Sequence, residues 1–340
     1  MIPVGQIYRP EGKLDARSVL SATILGVVIA VFAALVVWAW ELSPIPTLVI
    51  ITPLLQGLLI GLVLAFVVGR LRLRHPNLLG AIGLLCGLAS VGLVHYGHYL
   101  HFLDQVGNQY KAEVEADADL SPEKKAELLG RVANGSGELA DEFLLSKTGH
   151  GGFVGSMIYR NEVGVTIKHS KLTGWGVWIL WGVEAIAVAL VAWVIARSRA
   201  AEPFCEDCGD WCSKTRAPIE LAGESARPFA EAVQVDDLQG VAHWLGQPID
   251  AELIKQHGTR ATLHSCGDCD QTFADVESYL IVTKKKTETK STSILNRVRI
   301  SPEMTAMLRQ PPSANSTPQA EAEEFRQESS QPAEAGTLDQ

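Results

Sequence analysis

Hydrophobic positions in this chain collect into four unbroken runs, not the short periodic clusters of a soluble domain. Residues 19–40 carry no charge, and 47–69 hold Gln56 as the one strongly polar group. Residues 78–103 have no ionisable side chains beyond histidines, tyrosines and Cys86, and 175–196 contain a single ionisable residue, Glu184. Each run has about 20 residues or more, enough for a helix to cross roughly 30 Å of hydrocarbon at about 1.5 Å per residue. The pattern predicts an α-helical polytopic membrane protein with spans near 19–41, 47–69, 77–102 and 175–196. The first run follows mostly polar residues and lacks a small-x-small cleavage site, so it reads as a retained span and not a leader.

Small residues recur within these runs at intervals of four. Ala22, Gly26, Ala30 and Ala34 form one ladder, Gly57, Gly61, Ala65 and Gly69 a second, and Gly83 and Gly87 continue the theme. Such ladders line one helix face and let backbones approach closely in lipid, where the hydrophobic effect does not drive helix association. They serve packing within the bundle or, in a second reading, a homo-oligomer.

Basic residues set the orientation. Arg9, Lys13 and Arg17 precede the first span, Arg70, Arg72 and Arg74 follow the second, and Arg197 and Arg199 end the fourth, whereas the loop after the first span has no Lys or Arg. All three patches share one side if both termini are cytoplasmic, as in a bacterial inner-membrane protein. Trp38, Trp40, Trp175 and Trp178 then fall at the outer interface, and every cysteine outside the spans lies on the reducing side, where no disulfide framework is expected.

The hydrophilic parts divide accordingly. Residues 1–18 form a cytosolic lead-in to the unit of spans one to three (19–103). An extracytoplasmic segment, 104–172, has Ser121-Pro122-Glu123 as a helix start and a second helix over 138–145. Gly149-His150-Gly151-Gly152 breaks that helix, and 153–167 return to the membrane as irregular or short strand structure. After the fourth span (173–197), residues 198–309 form a small cytosolic α+β domain. It has a helical stretch over 225–246 with Asp236 as a cap, a strand at 259–264, and a hairpin from β-branched runs at 279–283 and 293–300. The tail, 310–340, is rich in Pro, Ser, Ala, Gln and Glu and is expected to be disordered. Its acidity and that of the outer segment account for much of the formal net charge of −9, so bulk charge says little about the cytosolic domain.

That domain carries the strongest chemical pattern. Cys205-Glu-Asp-Cys208 and Cys266-Gly-Asp-Cys269 are two C-x2-C pairs, which together supply four thiolates for one tetrahedral ion. Gly209 and Gly267 sit where such knuckles commonly need positive φ. The pairs resemble zinc ribbons and rubredoxin-like knuckles over about 20 residues, although 57 residues separate Cys208 from Cys266 where a compact ribbon has about 15–20. Cys212 and His264 are alternative ligands. A closed set of four thiolates leaves no open coordination position, which points to structural Zn2+ and away from catalysis. Iron in the same cage would make a rubredoxin-like electron carrier, but no second redox group accompanies it.

Two further groups stand out. The hairpin is basic, with Lys284, Lys285, Lys286, Lys290, Arg297 and Arg299 against Glu288, and suits an anionic lipid or protein surface. The scarcity of stacking aromatics argues against nucleic acid. Within the spans, Glu184, His95, His98 and Gln56 are polar groups that cost free energy in lipid. Walker, G-x-S-x-G and H-E-x-x-H motifs are all missing, so no catalytic set emerges. The leading expectation is a membrane-tethered, zinc-stabilised binding module that works as an adaptor or regulatory component with a protein partner. The alternative is a small proton- or cation-linked transport or sensing protein built on Glu184, His95 and His98.

Overall fold

A computed structural model describes residues 3–10, 15–42, 51–167, 170–219, 221–247, 256–283 and 287–310. The tail and Lys284–Lys286 lie outside this set. The chain divides into two compact units, one of residues 10–201 and one that combines 1–9 with 202–340.

Four helices of the first unit are long and apolar enough to cross a membrane: α1 (Ala16–Glu41), α2 (Ile51–Leu71), α3 (Pro76–Ala116) and α6 (Trp175–Ala200). Asp15 caps α1, accepting from the amides of Arg17 and Ser18. The glycine ladders are consumed inside this bundle, with α6 as the common partner of α2 and α3. A Cβ on Gly57 would come within 2.8 Å of the Val188 carbonyl oxygen, and one on Gly83 within 2.8 Å of that of Ala192. Gly87 lies equally close to Ala189, and Gly61 meets Ile195. On α1, Gly26 abuts the Cys86 sulfur of α3. One buried polar relay ties three helices: Gln56 Nε2 donates to Ser90 Oγ at 2.7 Å, and Ser90 Oγ donates to the Ala30 carbonyl at 2.9 Å. Such a bond satisfies groups that lipid could not.

Beyond the third span the chain departs from expectation. The α3 helix does not stop near residue 102 but runs on to Ala116, with i,i+4 support from Gln109–Glu113 and Lys111–Glu115. Helix α4 (Pro122–Thr148) folds back along it, capped by Ser121, bent where Gly135 leaves helical geometry, and ended by Gly149 in the left-handed region. Where irregular or short strand structure is expected over 153–167, most of the segment is helix α5 (Gly152–Val163), and a short strand forms only at its end, β1 (Val165–Ile167), paired with β2 (Ser170–Leu172). The start of α5 is organised by Asp141, whose Oδ1 accepts from the Gly152 amide at 2.7 Å. An aromatic cluster of Phe102, Phe143 and Tyr159 joins α3, α4 and α5.

The second unit is built on an antiparallel sheet. Strand β7 (His257–Ser265) pairs with β8 (Thr272–Thr283), and β8 with β9 (Thr287–Ile300). The short strands β5 (Ser213–Arg216) and β6 (Leu221–Ala222) share the far edge of β7. Helices α7 (Ala226–Gln234), α8 (Leu238–Leu245) and α9 (Pro302–Arg309) contribute Phe229, Val233, Val241, Met304 and Leu308 to a core with Leu263, Val276 and Val298. The stretch over 225–246, expected to be helical with a cap before Leu238, is two helices. Its break is Asp236, at φ +57, and the cap of α8 is Asp237, not Asp236. Asp236 instead accepts from the Ser301 amide and hydroxyl at the start of α9.

The lead-in before the first span is part of this sheet. Gly5 N donates to Arg299 O at 2.8 Å, Tyr8 N to Arg297 O at 2.7 Å, and Arg299 N to Gln6 O at 3.0 Å, so residues 5–8 add a short strand to the edge of β9. Polypeptide from before the first span and after the fourth is therefore hydrogen-bonded into one domain.

Gly87→Val should disrupt the α3–α6 contact, where Ala189 backbone leaves no room for a side chain, and lower stability by about 1–3 kcal/mol. Gly92→Ala, with open space around its Cβ, should have little effect. Thermal unfolding of the two variants in detergent checks the contrast.

Candidate metal centre

Local pairing builds each knuckle. Strands β3 (Phe204–Cys205) and β4 (Asp210–Trp211) pair antiparallel, and the turn between them closes with the Gly209 amide donating to the Cys205 carbonyl at 2.9 Å. Gly209 is at φ +69, as the knuckle requires. The second turn joins β7 to β8, and there Cys266 N donates to Gln271 O at 2.9 Å. Gly267, by contrast, does not have positive φ and has open space around it, so nothing in the backbone demands glycine there.

The two turns meet. The sulfurs of Cys205, Cys208, Cys266 and Cys269 all lie within 4.8 Å of one another, and the Cys205 and Cys269 sulfurs are 3.5 Å apart. Bonds of about 2.3 Å in a tetrahedron place sulfurs about 3.8 Å apart, so the cluster has the dimensions of a four-thiolate cage. Cys205 and Cys266 are buried, while Cys208 and Cys269 are partly exposed. Of the described residues between the pairs, those of α7 and α8 belong to the other core of the sheet and not to the cluster around the sulfurs.

Electrostatics favour a cation at this point. Hydrogen bonding with Cys269 and Cys266 holds the Cys208 thiol above its ordinary range, and burial does the same for Cys205. Four sulfurs this close cannot all ionise without a positive charge among them, which a divalent ion would supply.

Neither alternative ligand belongs to the four-sulfur group. Cys212 is not among the clustered sulfurs. Burial, reinforced by Cys266, Cys205 and Cys269, pushes its thiol up to about 12, so it is a neutral apolar neighbour at physiological pH. His264 is engaged elsewhere, its Nε2 lying 2.9 Å from Asp275 Oδ2. Burial alone would raise the Asp275 carboxyl, but this contact and the Arg297 amide, 2.6 Å from Oδ1, outweigh it and hold the group below the ordinary carboxylate range.

A second apolar cluster wraps the cage with Phe204, Cys212, Phe273 and Tyr8. The Tyr8 and Phe273 rings meet at 5.2 Å. Tyr8 lies 197 positions before Cys205 in the sequence. No spacing signal marked it; the one hint was its being the lone aromatic residue of the lead-in.

The remaining sites separate. Of the basic hairpin, Lys290 is exposed on the outer half of β9, whereas Arg297 and Arg299 lie at its base, where the lead-in strand pairs. Gln56 belongs to the relay with Ser90. His95, His98 and Glu184 fall in another cluster, which gains two residues not singled out from sequence. His98 Nε2 contacts Glu41 Oε2, Arg160 Nη1 lies 3.3 Å from His95 Nδ1, and Arg160 is within electrostatic reach of Glu41 and Glu184.

Cys205→Ser should unfold residues 202–310 while the four spans stay inserted, read as loss of protease resistance in that unit alone. Asp275→Ala should cost about 1–3 kcal/mol at neutral pH by leaving His264 and the Arg297 amide without their acceptor. The stability supplied by Asp275 is present above the ordinary carboxylate value of about 3.9 and lost as pH falls through its lower folded value. Chemical denaturation should therefore show the gap between wild type and variant closing in strong acid.

The chain matches no protein-family model, no curated protein and no solved structure.

Proposed function

We propose that this chain is a multi-pass protein of a bacterial-type inner membrane, with both termini cytoplasmic and a zinc-stabilised binding module on that side. The module acts as an adaptor or regulatory component for a protein partner. The observation that carries this reading is the convergence of four cysteine sulfurs from two stretches far apart in sequence. Cys205, Cys208, Cys266 and Cys269 would hold one Zn2+, a filled shell that lends folding free energy and offers no position to a substrate. The shared sheet of lead-in and C-terminal domain fits an even number of spans. The arginines flanking spans two and four favour the cytoplasm for that side.

The outer half of β9 supports a binding role. The lead-in strand covers β9 at Arg297–Arg299, and residues 288–294 beyond it are exposed. A short open edge of this kind is a recurrent way of receiving an extended segment from a partner.

Metal analysis of the purified chain should give about one zinc per molecule and no visible absorbance; iron, or no metal, would overturn the assignment. A photo-crosslinking residue at Ser291 should trap one discrete protein partner in cells, and the adduct should vanish when Cys205→Ser is added. Persistence of the adduct in that double variant would separate partner binding from the metal module.

A further inference from the structure

The charged cluster at the loop end of the bundle belongs to none of this. Four helices contribute to it: Glu41 ends α1, His95 and His98 lie on α3, Arg160 on α5, and Trp181 and Glu184 on α6. Donor and acceptor chemistry fixes one of its protonation states. A guanidinium has only N–H donors and stays charged in proteins, so Arg160, 3.3 Å from His95 Nδ1, must donate, and His95 must present a lone pair there. An imidazolium has an N–H on both nitrogens and offers none. The docked position of Arg160 thus requires neutral His95.

The other groups facing this pair do not impose the same condition. His98 meets the Glu41 carboxylate and can donate through Nε2 whether neutral or charged. Glu184 and Glu41 both lie within reach of the Arg160 charge, and Glu41 also within reach of His95. Arg160 lies over the Trp181 ring at 5.4 Å, and that ring packs against His95 at 4.9 Å. Protonating His95 would set an imidazolium against a guanidinium and remove the acceptor in one step, with Glu41 in position to attract the new charge.

We propose that His95 and Arg160 form a proton-operated latch: neutral His95 holds α5 on the bundle, and its protonation releases Arg160 and with it α5. Because the docked state excludes a proton that the released state accepts, docking weakens as pH falls below the ordinary imidazole value of about 6.5. The ligand of this site is the proton, and the moving part is the segment between the third and fourth spans.

The test is amide hydrogen exchange of the full chain in lipid nanodiscs at about pH 8 and about pH 5.5, corrected for intrinsic exchange. Protection of residues 152–163 should fall by about tenfold or more in acid, the equivalent of a lost hydrogen bond to a charged group, while the spans hold theirs. His95→Gln retains an acceptor that does not titrate and should stay protected at both values; His95→Lys should be unprotected at both. Arg160→Gln, with no charge to repel, should show no pH response whatever its absolute protection. Equal protection of wild type at both values would overturn the latch. So would an acid response that survives in His95→Gln or in Arg160→Gln.

Discussion

Four sulfurs drawn within 4.8 Å of one another set the terms for the whole C-terminal unit. Thiolates at that distance repel and neutral thiols gain little from each other, so the arrangement is one that a cation would stabilise. Two hairpin turns are thereby joined across a 57-residue interval, and the sheet between them acquires a fixed end. The aromatic cover of Tyr8, Phe204 and Phe273 keeps water from the buried side, and the lower dielectric there would strengthen the attraction between these sulfurs and a bound ion. The larger core of the unit lies on the opposite face of the sheet, where α7 and α9 supply the apolar area.

The membrane bundle answers a different constraint. Lipid chains are as apolar as leucine, so helices gain by close backbone approach and by internal hydrogen bonds. Glycines of α2 and α3 meet α6 at its alanines, valines and Ile195, and α6 becomes the shared surface of the assembly. The Gln56–Ser90–Ala30 relay adds one directional contact among α1, α2 and α3. Glu41, His95, His98 and Glu184 instead gather with Arg160 of α5.

Much of the architecture could be read along the chain. Uncharged runs of span length, four-residue spacing of small residues and paired C-x2-C turns each report a local physical requirement, and each corresponds to what the structure shows. The Ser121 cap and the Gly149 stop are equally local. Departures arose where a long-range contact overrode a local signal. Helix α3 continues past its apolar run because α4 and α5 cover it with Phe143 and Tyr159. Asp236 resembles a helix cap, but the start of α9 claims its carboxylate. His264 has the right chemistry and neighbourhood for a metal ligand, yet Asp275 on the adjacent strand holds its ring.

Composition and spacing alone determined that this chain carries four membrane-length helices and two thiolate knuckles, because hydrocarbon thickness and tetrahedral coordination each impose a pattern on neighbouring residues. Only the tertiary structure decided that the lead-in strand completes the cysteine-bearing domain, that α6 is the partner of both glycine ladders, and that Arg160 meets His95. Those contacts join residues far apart in sequence. Their geometry depends on how whole elements pack, and no spacing along the chain records it.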